Sequence, residues 1–173
     1  GKASLYIGLM SGTSMDGVDA ILADFQSGAT LLAHYSRKYS PELLSNLRHA
    51  ASGSALTASE WLDLDHQVGQ HFAECAQQLI KQANVEREAI AATGCHGQTV
   101  WHQPQGDNPN TWQIGNANIV AATTGIPTVA DLRRTDMAYG GQGAPLVPAF
   151  HADVFSDSNE RRAILNLGGI ANI

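Results

Sequence analysis

A run of small and hydroxyl side chains near the amino terminus can hold an anion. Between two apolar stretches the chain reads Met10-Ser11-Gly12-Thr13-Ser14-Met15-Asp16-Gly17, a pattern that predicts strand, tight turn, strand. Gly12 and Gly17 allow positive φ or a close approach of the backbone to a ligand. Thr13 and Ser14 offer hydroxyl donors, and consecutive backbone N–H groups in such a turn can form an anion-binding nest. The chemistry that fits best is the phosphate tail of a nucleotide.

This turn is not a Walker A loop. That loop needs a lysine and a Ser or Thr directly after its second glycine, followed by a helix. Here no lysine follows Gly12, and the pattern behind the turn is that of a strand. Backbone amides and hydroxyls alone would therefore hold the phosphate. The alternative is an ordinary hairpin with a polar turn, and the turn residues by themselves leave both interpretations open.

Composition and charge limit the class of protein. A chain of 173 residues corresponds to one domain, or to one domain plus part of another. The apolar fraction of 43% and the charged fraction of 15% favour a compact, enzyme-like body. A net charge of −6 argues against nucleic acid or a membrane surface as partner. An anionic nucleotide would therefore need local groups or a metal ion.

The cysteines and the apolar runs indicate a compartment. Cys75 and Cys95 form no Cys-x-x-Cys pair, and we expect both to be buried, reduced thiols. We expect no signal peptide, because Gly1-Lys2-Ala3-Ser4 leads directly into a strand, and no apolar run approaches the ~20 residues that span a bilayer. We expect a cytoplasmic protein.

The first half of the chain predicts a meander and two helices. Strands joined by short turns are predicted at residues 5–10, 18–25 and 29–39, which together form an antiparallel meander. Ser40-Pro41-Glu42 predicts the start of a helix that ends near Ala51. Thr57 and Glu60 have the spacing of a capping box, which begins a long helix that ends near Ala83.

The long helix carries an apolar stripe and two histidines. The stripe is formed at steps of three and four residues by Trp61, Leu64, Val68, Phe72, Ala76, Leu79 and Ala83. His66 and His71 are five residues apart, which is not the spacing of a two-histidine metal site. We expect both histidines to lie on the surface of the helix.

The second half of the chain predicts strands that alternate with helices. Strands are predicted at residues 89–95, 111–114, 127–132 and 162–167, and helices at 117–124 and 148–155. Asn116 caps the first of these helices and Gly125 closes it. The alternation implies parallel pairing after the meander. The polar, glycine-rich segment 133–145 is interpreted as a domain junction or a substrate loop, and the strand–turn pattern at the end indicates an amino-terminal piece of a longer protein.

Several ordered motifs closely resemble those of the anhydro-N-acetylmuramic acid kinases. They are GLMSGTSMDGVD at 8–19, GCHGQTVWH at 94–102, QIGN at 113–116, VADLRR at 129–134, GGQGAPLVP at 140–148 and NLGGIAN at 166–172. The resemblance covers the whole chain and implies an α/β fold of the sugar kinase/Hsp70/actin superfamily. We therefore expect residues 1–132 to form a ribonuclease-H-like lobe whose mixed sheet starts with a three-stranded meander. Residues 133–173 would begin a second, similar lobe.

The resemblance also implies a double reaction. Water opens the 1,6-anhydro ring of anhydro-N-acetylmuramic acid, and the freed O6 takes the γ-phosphoryl group of ATP, giving N-acetylmuramic acid 6-phosphate and ADP. In the family this reaction recycles peptidoglycan in the bacterial cytoplasm. It needs a cradle for ATP and Mg²⁺, a carboxylate base and a cleft that excludes water. The implied partners are the sugar and ATP, with no nucleic acid and no membrane, and a homodimer is a further hypothesis.

By the family pattern the ATP phosphates lie against the glycine-rich turn. The residues implied as contacts are Gly12, Thr13, Ser14, Met15, Asp16, Gly17, Val18 and Asp19. Asp16 and Asp19 are the candidate Mg²⁺ ligands, because hard cations prefer oxygen. The alternative for Asp16 is a cap of the turn. Met10 stands where many superfamily members carry an aspartate, which leaves the metal ligand open.

The sugar side has five candidate residues. Arg133 can bind the lactyl carboxylate of muramic acid, and its alternative is a salt bridge at the surface or between lobes. The others lie at predicted strand ends, where each can bind a sugar hydroxyl or satisfy a loop: His96, Gln98, Gln113 and Asn116. We expect Asp131 to end a strand and pair with an arginine. No catalytic residue is assigned, because the family's base lies in a Gly-Phe-Asp motif expected beyond Ile173.

Two other functions compete with a sugar kinase. One is a non-catalytic lobe that binds nucleotide or phosphate within the same superfamily. The other is a nucleotide switch of the actin or chaperone kind, against which the sugar-sized polar segment around Arg133 argues. A Gly-Phe-Asp motif shortly after this sequence would favour the enzyme.

Overall fold

Alternating apolar residues build the amino-terminal meander. The computed structural model describes residues 4–167 and 171–172. In it, antiparallel pairing joins three consecutive strands, β1 (Leu5–Ser11), β2 (Gly17–Asp24) and β3 (Thr30–Lys38). Val18, Ala20 and Leu22 of β2 are buried, whereas Asp19 and Ile21 between them are exposed, as the two-residue repeat of a strand requires. The predicted meander is confirmed.

Two capped helices follow the meander. In α1 (Pro41–Ala51) the Ser40 side chain accepts a hydrogen bond from the backbone N–H of Leu43. In α2 (Ala58–Ala83) Thr57 and Glu60 form the predicted capping box. Because each cap satisfies backbone donors that a helix start leaves unpaired, the local sequence determines where both helices begin.

The apolar stripe of α2 packs against the sheet. Its fully buried members are Leu64, Val68, Phe72, Ala76 and Leu79, which confirms the predicted face. His71, however, is only 7% exposed, and its ring lies 4.8 Å from that of Tyr39. The prediction of a surface position is therefore correct for His66 and wrong for His71. The reason is that His71 sits beside Phe72, at the edge of the stripe, where β3 covers it.

The fourth strand is longer than predicted and has two kinds of neighbour. β4 (Ile90–Gln103) pairs in parallel with β1 through its first part and antiparallel with β5 (Asn110–Ile114) through its second part. Parallel pairing is therefore correct for β1 and β4 but wrong for β4 and β5. The short connection at 104–109 can join only antiparallel neighbours, because a parallel crossover needs about a dozen residues or more.

The remaining elements are short. They are α3 (Ala117–Thr124), β6 (Thr128–Val129), α4 (Leu132–Ala138), α5 (Pro148–Phe155), β7 (Asn166–Leu167) and β8 (Ala171–Asn172). Asn116 and Gly125 cap α3 as predicted. The strands expected at 127–132 and 162–167 are each reduced to two residues. Asp131, with φ of +59°, interrupts the first of them and starts α4, so part of the glycine-rich segment is helical.

The order of the strands places the end of β1 beside that of the first part of β4. The strands lie in the order β3-β2-β1-β4-β5, and β6 pairs in parallel with β4. Both β1 and the first part of β4 therefore end at the same edge. The predicted division at residue 132 and the start of a second lobe stay predictions, and the glycine turn at 168–170 lies outside the described residues.

The two thiols lie inside the helix–sheet layer. Cys75 and Cys95 are buried and free, as predicted, although Cys95 lies within β4 rather than at a strand end. Burial raises the pKa of the Cys75 thiol to about 12 and that of Cys95 to about 11. Within residues 4–167 and 171–172, no helix has both the length and the apolar character to cross a membrane.

Replacing Phe72 with alanine tests the α2 stripe. Phe72 is fully buried, so Phe72→Ala should lower the free energy of unfolding by about 3–5 kcal/mol. Leu62→Ala is the matched control, because Leu62 lies on the same helix and is 71% exposed, and it should stay within about 0.5 kcal/mol of wild type. Urea unfolding followed by circular dichroism measures both, and equal losses would contradict the assignment of the buried face.

Candidate functional site

The tip of the β1–β2 hairpin presents hydroxyl and carboxylate groups to solvent. Its backbone is fixed by a hydrogen bond of 3.1 Å from the Met15 N–H to the Gly12 carbonyl oxygen. Met15 has φ of +57° and turns its side chain into the core, while Thr13, Ser14 and Asp16 stay exposed. The apolar side chain anchors the turn from below, so the polar side chains face outward.

Gly17 is required where the hairpin meets β3. In the register of the sheet it lies opposite Lys38. A Cβ atom added at Gly17 would overlap the backbone carbonyl oxygen of Arg37, and backbone cannot move aside as a side chain can. The backbone of β3 thus occupies the space that a side chain at Gly17 would need. The side chain of the next residue, Val18, is buried in the core.

The two candidate metal ligands occupy different places. Asp16 lies at the hairpin tip, whereas Asp19 lies on the outer face of β2. The Ser36 hydroxyl donates to Asp19 Oδ1, and His34 Nε2 lies 3.3 Å from the same oxygen. No cluster of three or more His, Cys, Asp or Glu side chains that can hold a metal ion occurs in the described ranges. An exposed carboxylate such as that of Asp16 is an oxygen donor of the kind that Mg²⁺ accepts, since this ion keeps several waters and is bound largely through substrate phosphates.

A second polar feature is centred on His96 of β4. Arg133 Nε donates to His96 Nε2 at 2.7 Å, and Arg133 Nη1 donates to the Gly143 carbonyl oxygen at 2.6 Å. On the other side of the ring, His96 Nδ1 lies 2.8 Å from the Gly97 carbonyl oxygen. Since Nε2 accepts a hydrogen bond, Nδ1 must carry the proton of a neutral imidazole. His96 thereby links β4 to α4 and to the glycine-rich segment.

Three effects act on the charge of His96. Burial lowers its pKa, the hydrogen bond to the Gly97 carbonyl raises it, and the nearby Arg133 cation lowers it again. The net shift is downward from 6.5. Burial also lowers the pKa of Arg133 itself. Near neutral pH the pair therefore carries its positive charge on the guanidinium.

A cavity of about 320 Å³ lies beside His96. It falls in the size range of small-ligand sites, which is about 300–1,000 Å³. The polar residues that line it are Asp65, His96, Gln113, Asn116, Asn118, Asp131 and Arg134. This set brings together three of the predicted sugar-side residues, His96, Gln113 and Asn116.

Gln113 has one amide atom without a hydrogen-bond partner in the described part of the chain. Its Nε2 donates to the Thr99 and Thr111 hydroxyls, at 3.2 and 2.8 Å. Its Oε1 is buried and has no hydrogen-bond partner among the described residues. An unpaired buried carbonyl costs free energy, which a hydroxyl donor of a bound ligand can offset.

Asn116 is placed by a close approach between two helices. The Asp65 backbone carbonyl accepts a hydrogen bond of 3.2 Å from the Asn116 N–H, and Asp65 Oδ1 accepts one of 2.8 Å from Gly115. A Cβ atom at Gly69 of α2 would lie 2.9 Å from the backbone of Asn116. The glycine in the middle of α2 is the sequence signal that could have revealed this contact.

The remaining two sugar-side candidates do not line the cavity. Gln98 is fully buried and its amide contacts the hairpin, so its side chain satisfies a loop and does not face the cavity. Arg133 is bound to His96 and Gly143, and its neighbour Arg134 lines the cavity instead. Arg134 Nε donates to Asp131 Oδ1 at 2.6 Å, which is the pairing expected for Asp131. The sequence does not show which of these two adjacent arginines reaches the cavity, because this depends on the helix α4 on which both lie.

The hairpin and the cavity meet at β4. Ser11, the last residue of β1, pairs in register with Gln98, and His96 lies two residues earlier in β4 at the cavity. Both features therefore lie at the carboxyl edge of the parallel strands β1 and β4. Ligands bind at this edge in sheets of this kind.

The architecture is that of the sugar kinase and actin-like proteins, with a meander followed by a helical crossover into a parallel strand. The family model described as anhydro-N-acetylmuramic acid kinase matches residues 4–173. The chain therefore belongs to the anhydro-N-acetylmuramic acid kinase family.

Curated relatives agree with this membership. The chain is 51% identical over 170 residues to an anhydro-N-acetylmuramic acid kinase of Vibrio vulnificus (strain YJ016), covering 98% of this chain and 46% of the relative. It is 50% identical over 169 residues to the enzyme of the same name from Pasteurella multocida (strain Pm70), covering 97% of this chain and 45% of the relative. The chain thus spans about half the length of the curated relatives it matches.

The state of His96 is testable by titration. Arg133→Met removes a nearby cation and the hydrogen bond to Nε2, so the His96 pKa should rise toward its ordinary value. Because the folded pKa is lowered, the stability that neutral His96 contributes is fully present above pH 6.5 and is lost as the pH falls toward the folded pKa. NMR titration of the imidazole resonances measures the shift. An unchanged or lower His96 pKa in Arg133→Met would contradict the assigned contact.

Proposed function

We propose that the full-length protein is an ATP-dependent kinase that hydrolyses the 1,6-anhydro ring of anhydro-N-acetylmuramic acid and phosphorylates O6 of the product. The observation that carries the proposal is the common edge of the sheet, where the hairpin tip and the polar cavity are joined by residues 96–98 of β4. A phosphoryl donor held at the first and an acceptor held at the second can approach each other. The names of the curated relatives support the same activity.

The hairpin tip is the proposed cradle for ATP. Thr13 and Ser14 supply hydroxyl donors, and the backbone N–H groups of the turn supply further donors without a lysine. Asp16, exposed at the tip, would hold Mg²⁺ through water, with Asp19 as the second candidate. When bound, Mg²⁺ neutralises charge on the transferred phosphoryl group. Met15 and Val18 contribute backbone only, because their side chains are buried.

The cavity is the proposed sugar site. Gln113 Oε1 accepts from a sugar hydroxyl, and Asn116 and Asn118 offer both donors and acceptors at the start of α3. The lactyl carboxylate is recognised by arginine at the start of α4. Arg134 reaches the cavity, and Arg133 remains a candidate through Nη2, which has no hydrogen-bond partner in the described part of the chain.

The base that activates water is not assigned to any residue described above. Asp131 is engaged by Arg134, and Asp136 Oδ2 accepts a hydrogen bond of 2.8 Å from the Gly143 N–H. Both carboxylates therefore have structural partners. We propose that the base belongs to the half of the protein that the curated relatives have beyond the matched region, and that the reaction takes place in the bacterial cytoplasm.

Turnover of the full-length protein tests the proposed activity. With ATP, Mg²⁺ and 1,6-anhydro-N-acetylmuramic acid, we expect ADP release and a product that has gained one phosphoryl group and the elements of one water, identified by mass spectrometry. N-acetylmuramic acid with an open ring is the control acceptor, because it needs no ring opening. Nucleotide binding without ADP release would favour a non-catalytic nucleotide-binding lobe instead.

Paired substitutions test the division between donor and acceptor sites. Ser14→Ala should raise the KM for ATP by about tenfold and leave the KM for the sugar unchanged, since it removes a hydrogen bond to a charged group. Gln113→Ala should do the reverse. Ser27→Ala, in the other turn of the meander, and Gln103→Ala, at the far end of β4, are the matched controls. Steady-state kinetics with each substrate varied in turn measure both KM values. A variant in which the KM for ATP and the KM for the sugar rise together would contradict the assignment.

A further inference from the structure

A fully buried amide lies directly beneath the hairpin tip. Gln98 has no exposed surface. Its Nε2 donates to the carbonyl oxygens of Gly12 and Thr99, each at 3.1 Å. Its Oε1 lies 2.6 Å from the Ser11 hydroxyl and 3.4 Å from that of Tyr39. The amide thus contacts β1 at Ser11, the hairpin at Gly12, its own strand at Thr99, and Tyr39 just after β3.

The network holds both ends of the turn. Ser11 Oγ lies 2.7 Å from the Gly17 carbonyl oxygen as well as 2.6 Å from Gln98 Oε1. Gln98 binds Gly12, the first residue of the turn, directly. The single hydroxyl proton of Ser11 is shared between Gln98 Oε1 and the carbonyl oxygen of Gly17, the residue after the turn, and so connects the two. Burying an amide without partners is costly, so this side chain favours one arrangement of the turn over others.

We propose that Gln98 is a positioning residue for nucleotide binding. It fixes the backbone at Gly12 and Gly17 and thereby sets the direction in which Thr13, Ser14 and Asp16 face. The inference rests on the proposed role of the hairpin tip as the ATP cradle. It also assigns Gln98 to the phosphate side of the site and not to the sugar.

The contact between Gln98 and the hairpin crosses from one strand of the sheet to another. Gln98 belongs to β4, whose residue His96 lies at the cavity. A buried hydrogen bond between the strands therefore fixes the position of the proposed ATP cradle relative to the proposed sugar site. Pre-organised donors of this kind are worth more than mobile ones, because they need no reordering when the ligand binds.

The test uses the full-length protein with Gln98→Met, which keeps the length of the side chain and removes its hydrogen bonds. We expect the KM for ATP to rise by about tenfold, because the backbone groups that Gln98 binds are left unpaired. The KM for the sugar should stay within about twofold of the wild-type value. Thr93→Val is the matched control. Thr93 lies on the same strand, is fully buried and has a hydroxyl without a partner among the described residues, so both KM values should remain unchanged.

A second variant guards against loss of folding. Ser11→Ala is a small change that removes the hydroxyl shared by Gln98 and Gly17, and we expect it also to raise the KM for ATP alone. In the double variant with Gln98→Met the effects should be less than additive, because the two residues act through one network. The dissociation constant of a non-hydrolysable ATP analogue, measured by calorimetry, gives the same comparison without turnover.

The outcomes separate this inference from the proposed function. Unchanged ATP affinity in Ser14→Ala would contradict the assignment of the hairpin tip as the ATP cradle, and with it the proposed function. Weakened ATP affinity in Ser14→Ala, together with wild-type affinity in Gln98→Met and Ser11→Ala, would leave the cradle in place and overturn the positioning role. An equal rise of both KM values in Gln98→Met and Ser11→Ala would likewise reduce Gln98 to a structural residue.

Discussion

The parallel pairing of β1 with β4 is the constraint on which the site depends. It aligns Ser11 with Gln98, so that the turn after β1 and the cavity beside β4 open at one edge of the sheet. The pairing is possible because α1 and α2 provide the long crossover that parallel neighbours need. The apolar stripe of α2, centred on Phe72, holds that crossover against the sheet. Core packing therefore determines where the polar groups meet.

Within this frame, polar and backbone contacts place the individual groups. Gln98 binds the hairpin from below, Met15 anchors it in the core, and the space at Gly17 admits the backbone of β3. At the cavity, Gly69 lets α2 approach Asn116. The proposed cradle needs no lysine, because the turn can present hydroxyl and backbone N–H donors together.

Features that depend on local sequence could be predicted, whereas those that depend on distant contacts could not. The caps at Ser40, Thr57 and Asn116 were predictable because each involves residues within one turn of helix. The length of β4 was missed, since its second part is defined by pairing with β5. His71 was misplaced because helical spacing does not show what packs against the edge of a stripe. Which arginine reaches the cavity depends on α4, whose start at Asp131 follows from an unusual backbone angle.

The most direct measurement is a crystal structure of the full-length protein with a non-hydrolysable ATP analogue and Mg²⁺. We predict that the β- and γ-phosphate oxygens accept hydrogen bonds from the backbone and hydroxyls of residues 12–16, with the γ-phosphate directed toward the cavity beside His96. Phosphates bound elsewhere, with the hairpin tip facing only solvent, would contradict the central claim that this turn is the nucleotide cradle.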